Sequence, residues 1–331
     1  MEIKISRLML CIGLFLLATP AAAEDSEYAV DPRITVLSTM LANFSGDGEW
    51  GFSALIETQA GAVLFDTGFK QSTVWNNSKV LNVDLSSVSH VILTHYHTDH
   101  TGGLLHMRKQ LMGEYPKALS QVYVGKGFFQ QRFAKDGKPV YSLDRSLNPD
   151  YFENPQDFRR AAEALGIHFT EVEQALEIFP GVHLSGPIKR QHDERNVNPG
   201  RFLDAAASQA DNIPESQVVG LLTDKGWLLL SGCGHAGIVN ATAALRDIQA
   251  VPVVMGVGGF HLFRASTEVL DWTAGHLKAV GMESLVGAHC TGTAATFHLK
   301  ERLNLPASKV SIGAVGTRID SSLNIIRTSV E

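Results

Sequence analysis

Short apolar runs bounded by turn residues recur along the chain, and several stop where ligand-type side chains begin. Ile34-Thr35-Val36-Leu37 and Phe52 to Glu57 have the β-branched, partly alternating content of strands. Gln59-Ala60-Gly61 turns the chain back into Ala62-Val63-Leu64-Phe65, which predicts a hairpin ending at Asp66-Thr67-Gly68. Val91-Ile92-Leu93 reads as a buried strand, followed by a polar turn, Gly102-Gly103 and the apolar Leu104, Leu105 and Met107 of a helix. Gln121 to Val124 predicts a strand, Asp157 to Leu165 a helix, and Val182 to Ser185 a short strand. A second hairpin joins Val218–Leu222 to Trp227–Leu230 through Asp224-Lys225-Gly226, with a helix starting near Ala236. Val251 to Leu262 and Ser284 to Gly292 repeat the strand-and-turn pattern, and Thr273–Val280 and Thr293–Leu303 are helical. Phe133 to Pro155, rich in Lys, Asp, Asn, Pro and aromatics, reads as a surface excursion, a lid or a plain loop. No repeat or linker divides the chain.

The densest chemistry lies in the turn after Val91–Leu93. Thr94 to Gly103 reads THYHTDHTGG, placing His95, His97, Asp99 and His100 within six residues. Alternate positions of a tight turn point the same way, so His95 and His97 pair, while Asp99 and His100 face a neighbouring point. Two such clusters suit a two-metal site, in which ions roughly 3.5–4 Å apart share a bridging hydroxide. Cys233 and His235, in the glycine-rich turn after Trp227–Leu230, are both good zinc ligands. His261 follows Gly258-Gly259, and His289 and Cys290 end the run from Ser284. For His261, direct ligation and a supporting role remain open. Asp66, at a strand end, is either a turn residue or a carboxylate that orients a ligand histidine. Arg190, in the polar stretch Lys189 to Arg195, either holds an anionic substrate group or belongs to a solvated loop.

Composition narrows the setting. Charged residues make up 19% and hydrophobic ones 44%, as in ordinary globular proteins. The chain opens MEIKISRLMLCIGLFLLATPAAAEDS, with basic Lys4 and Arg7, an apolar Leu8–Ala18 and small residues at Ala21-Ala22-Ala23. That is the layout of a secretory signal over 1–23, too short to span a bilayer comfortably and cut after Ala23. The expectation is one periplasmic or secreted domain over 24–331 with no stable membrane anchor. Cys11 lies inside the apolar run, after Met9-Leu10, and does not suit lipidation. Losing Glu2, Lys4 and Arg7 makes the formal charge of -6 one unit more negative. An acidic chain without a basic stripe argues against nucleic acid as partner. In an oxidising compartment the remaining pair, Cys233 and Cys290, could be a disulfide, but both lie within two residues of a candidate ligand.

THYHTDHTGG resembles the HxHxDH signature of the metallo-β-lactamase fold superfamily, and LFDTG (64–68) resembles its strand-end aspartate. GFSALIE, VDLSSVSHVILTHYHTDHTGGL, LLLSGCGHAGIVN, VGGFHL and AHCTG extend the similarity to the branch related to the archaeal dihydropterin–aminobenzene-phosphate synthase. The resemblance implies an α/β fold, a four-layer αββα sandwich of two mixed β-sheets flanked by helices, with metal along one edge. It also implies that His95 and His97 bind one ion, Asp99 and His100 the second, and that His289 is the last histidine. Cys233 falls where the superfamily places a bridging aspartate. The third-motif histidine expected before Gln217 is missing; Asp211 lies there instead, and His235 is the expected replacement. Zn²⁺, as two ions, is the expected cofactor, with iron or manganese as alternatives.

These residues predict an exported hydrolase of a small ester, lactone or phosphoester, in which the hydroxide attacks and Asp99 steers it or takes a proton late. A synthase like the named relative, and a non-catalytic metal- or ligand-binding protein, are the alternatives. Substrate identity does not follow from fold or motif.

Overall fold

The computed structural model describes residues 30–140, 152, 154–194 and 200–331. The expected signal segment 1–23 and most of the later part of the 133–155 excursion lie outside those residues.

Two mixed sheets form the centre. In the first, the strands Ile325–Ile326, Arg318–Ile319, Arg33–Ser38, Ser53–Thr58, Gly61–Phe65, His90–Leu93, Gln121–Gly125 and His168–Val172 are neighbours in that order. In the second the order is Val310–Ser311, Ser284–Gly287, Val253–Gly258, Gly226–Ser231, Val219–Thr223, Val182–Leu184 and Leu176–Phe179. Each sheet is antiparallel on one side and parallel on the other, so each has a row of strands whose carboxyl ends emerge together.

Alternation along the strands sorts side chains into three apolar layers. Ile56, Val63 and Phe65 of the first sheet meet Leu221, Leu228 and Leu230 of the second between the sheets. Leu55, Leu64 and Val91 face outward onto Leu104, Leu105, Met107 and Phe158 of helices. Trp227 and Leu229 face the opposite way, onto Ile238, Leu245, Leu277 and Leu299. This is the expected αββα sandwich. Among the described residues no helix is long and apolar enough to cross a membrane.

Most predicted elements appear with shifted ends. The 157–165 helix is Pro155–Ala164, begun by Asn154, whose side chain accepts from Gln156 N, and by a proline at the first helical position. The helix expected from Thr273 starts earlier, as Thr267–Ala279, because Ser266 caps it by accepting from Val269 N. Thr293–Leu303 is helical as read. Helix Thr73–Val80 and the strands at 168–172 and 176–179 carry weak periodicity and become elements by packing on the first two layers. The excursion contains a small hairpin, Arg132–Phe133 with Pro139–Val140.

Candidate metal centre

Five segments deliver ligand-type side chains to one edge of the sandwich, each just beyond the end of a strand in a parallel row. Asp66 follows Gly61–Phe65, residues 94–100 follow His90–Leu93, and Cys233 and His235 follow Gly226–Ser231. His261 follows Val253–Gly258, and His289 and Cys290 follow Ser284–Gly287. Parallel strands place their following loops on the same side, which is why sites in such sheets gather at carboxyl ends.

The rings of His95 and His97 are 4.6 Å apart, and that of His235 is 4.7 and 4.9 Å from them. His100 lies 4.3 Å from His95 and 5.1 Å from His289, again between ring centres. Asp99 Oδ2 is 3.5 Å from His289 Nε2 and 3.7 Å from His100 Nε2. The donor atoms of His95, Cys233 and His235 fall within 4.8 Å of one another, as do those of His100, Cys233 and His289. Cys233 belongs to both groups and stands on their border. Cys233 and Cys290 form no disulfide and are buried at the same edge.

Neighbours fix which imidazole atom faces the centre. Asp66 accepts from Thr94 N at 2.8 Å and from Thr94 Oγ1 at 2.9 Å, and its Oδ2 lies 2.7 Å from His100 Nδ1. His100 Nε2 is thereby aimed inward. Thr94 Oγ1 is also 3.0 Å from His95 Nδ1, which leaves His95 Nε2 inward in turn. Both inward atoms are buried with no hydrogen-bond partner among the described residues. A buried polar atom left so costs about 1–3 kcal/mol. Imidazole lone pairs converging beside a thiol and a carboxylate fit a divalent ion, which would supply the missing partner. Gly232 makes the approach of the two sheets possible: a Cβ there would collide with the Asp66 carboxylate and the Thr94 hydroxyl. Asp66, His261 and His289 all take left-handed backbone, at φ 51°, 53° and 46°, which non-glycine residues adopt at a cost that clusters at functional sites.

Residues 48–188, which include the 95–100 cluster, match the family model described as the metallo-beta-lactamase superfamily. The chain has the metallo-β-lactamase fold. It is 28% identical over 274 residues to the 7,8-dihydropterin-6-methyl-4-(beta-D-ribofuranosyl)-aminobenzene-5'-phosphate synthase of Methanocaldococcus jannaschii, covering 80% of this chain and 88% of that protein. Among solved structures it is similar to Tm1679, described as a metal-dependent hydrolase of the beta-lactamase superfamily, with a TM-score of 0.68 and 24% identity. That similarity covers 87% of this chain and 98% of the other. The metallo-beta-lactamase fold protein YhfI from Bacillus subtilis gives a TM-score of 0.52 at 12% identity, over 87% of this chain and 98% of that one.

Within this candidate centre the protonation states differ by position. Burial and the surrounding imidazoles hold His95 well below its ordinary value, and burial lowers His97 to about 4. Both are neutral at pH 7 and present lone pairs. Burial also opposes charge on His289, but Cys290 and Asp99 outweigh it and raise that imidazole to about 10. Metal binding at pH 7 must therefore displace a proton from His289 and none from His97. Affinity should rise with pH toward about 10 through His289, and proton competition at His97 should set in only near pH 4. Adding zinc to stripped protein in weak buffer with an indicator dye should release about one proton more from wild type than from His289→Gln. Equal release would refute the assignment.

Other candidates fall elsewhere. Asp211, at the place of the missing histidine, accepts from Tyr96 Oη at 3.1 Å and pairs with Arg132 Nε at 3.4 Å, away from the metal groups. Arg190 donates to the backbone carbonyls of Glu194 and Asn212, so its guanidinium braces its own loop. That loop is pinned to the Ile238–Ile248 helix, where Glu194 accepts from Val239 N and Asn240 N. Sequence reading missed Thr94, which links Asp66 to His95, although its place directly before the first histidine was a signal. It also missed Trp50, whose ring is 5.1 Å from that of His289 and 5.5 Å from that of Phe263. No spacing marks it.

Proposed function

We propose that this protein is an exported, metal-dependent hydrolase of a small ester, lactone or phosphoester. The supporting observation is the convergence of His95, His97, His100, His235, His289, Asp99 and Cys233 on one buried edge, where the inward Nε2 atoms of His95 and His100 have no hydrogen-bond partner among the described residues. Divalent ions held there, Zn²⁺ for preference, would polarise a substrate oxygen and acidify water. The chain's own residues supply the rest. Thr94 and Asp66 orient His95 and His100, and Asp99 holds a carboxylate oxygen among the imidazoles, placed to accept a proton from the attacking water. Its ionised state is secured against burial by His100 and His289, which keep the carboxyl well below the usual range. Trp50 and Phe263, both exposed, form an aromatic wall beside His289.

Export rests on the basic, apolar and small-residue order of residues 1–23. The test is metal analysis of purified protein with a screen of chromogenic esters, lactones and phosphoesters, comparing wild type with Asp99→Ala. Turnover should fall roughly 10²–10⁴-fold in the variant, the usual span for a proton-transfer group. Equal turnover would remove the reading. Similarity to the archaeal synthase favours one second reading, condensation on a phosphorylated aromatic substrate. Product analysis with such substrates separates the two.

A further inference from the structure

Beside the histidine centre a third set of donors converges. Cys233 Sγ is 3.0 Å from Cys290 Sγ and 3.2 Å from His261 Nδ1, nearer to both than to His289 Nε2 at 3.8 Å. The three donor atoms all lie within 4.8 Å of one another. Both thiols are buried, while His261 is part-exposed and opens the group toward solvent. Gly259 permits the arrangement, since a Cβ there would stand 2.8 Å from Cys290 Sγ and collide with the Gly232 carbonyl. The chain thus brings two soft donors and an imidazole together from three separate strand ends.

We infer that Cys233, Cys290 and His261 form a metal subsite of their own, taking a thiophilic divalent ion such as Zn²⁺ beside the histidine centre. This goes beyond the proposed hydrolysis and does not depend on it. Two thiolates balance the charge of one divalent ion, so burying the ion needs no charge from the histidines. With zinc–sulfur bonds of about 2.3 Å and zinc–nitrogen bonds of about 2.0–2.1 Å, tetrahedral ligation puts the sulfurs about 3.8 Å apart and sulfur and nitrogen about 3.5 Å apart. The observed separations need to widen by less than about 1 Å, a small side-chain rotation. Both sulfurs bind as thiolates, and any proton they carry passes to solvent as the sulfur–metal bond forms. The part-exposed side of His261 leaves the fourth position open to water or a ligand. Cys233 then borders both metal regions, and its sulfur couples them.

The full chain, stripped by chelator and kept reduced, is titrated with Co²⁺ while bound metal and the near-ultraviolet thiolate-to-cobalt absorption are followed. Wild type should bind about one equivalent more than Cys290→Ser, with the variant losing about half the thiolate band. His261→Ala, which alters a part-exposed residue, should weaken the same equivalent and keeps the test valid if Cys290→Ser folds poorly. His95→Ala should lose histidine-centre metal while keeping the band, so failure of the hydrolase reading is read separately. A wild-type cobalt count and band in both Cys290→Ser and His261→Ala would overturn the subsite. So would loss of all cobalt in Cys290→Ser, or a Cys233–Cys290 disulfide found on thiol titration of the unfolded native protein.

Discussion

Replacing His97 by alanine should empty the histidine centre of its first ion and reduce turnover on the order of 10³-fold or more, because a bound ion contributes several kcal/mol of charge stabilisation. His95→Ala should do the same. In the structure both rings stand within 5 Å of His235, and the donor atoms of His95, Cys233 and His235 lie within 4.8 Å of one another. Elemental analysis gives the readout independently of any substrate. A His95→Ala or His97→Ala protein with full metal content would undo the ligand assignment whatever its activity. Asp66→Ala should have a smaller effect of about 10–100-fold in metal affinity, since it orients His100 without touching the ion. The graded pair distinguishes a direct ligand from the carboxylate that aims one.

The largest loss of stability is expected from Arg132, which lies under the metal turn. Its guanidinium pairs with Glu215 at 2.5 Å and Asp211 at 3.4 Å, and stacks 4.2 Å from the Tyr96 ring centre. Tyr96 separates His95 from His97, and its hydroxyl donates to Asp211, so this buried network supports the turn from below. Burial raises Glu215 to about 7 even with Arg132 opposing the shift, which shows how heavily the carboxylates there depend on the cation. Arg132→Met leaves two buried acids without it and should cost about 3–5 kcal/mol. Adding Glu215→Gln should recover part of that loss, because the neighbouring sites are not additive. Urea denaturation of the metal-free proteins measures both changes. A single variant within about 1 kcal/mol of wild type would show the network to be dispensable.

The HxHxDH turn, its strand and the glycine-rich turns after Ser231 and Gly258 were legible because their chemistry is local. A β-branched run sets a strand, and residues immediately beyond it fall in a turn. His235 was legible as an imidazole in a glycine-rich turn and again as the replacement for an absent histidine, and the structure places its ring beside His95 and His97. Arg190 stayed open between an anion holder and a loop residue because a basic cluster in sequence says nothing of the carbonyls it meets. The Arg132–Glu215 pair joins residues 83 positions apart and leaves no periodic trace.

By itself, then, the sequence determined the strand-and-turn pattern and marked out the candidate ligands, because period and turn chemistry act over a few residues, while the two-sheet sandwich followed from the resemblance to the metallo-β-lactamase fold. Tertiary structure alone decided which carboxylate aims which imidazole and that Cys233 leans toward Cys290 and His261 rather than His289. It also decided which buried charges support the centre. Those outcomes depend on loops from two sheets meeting across one edge, at distances that only the packed core sets.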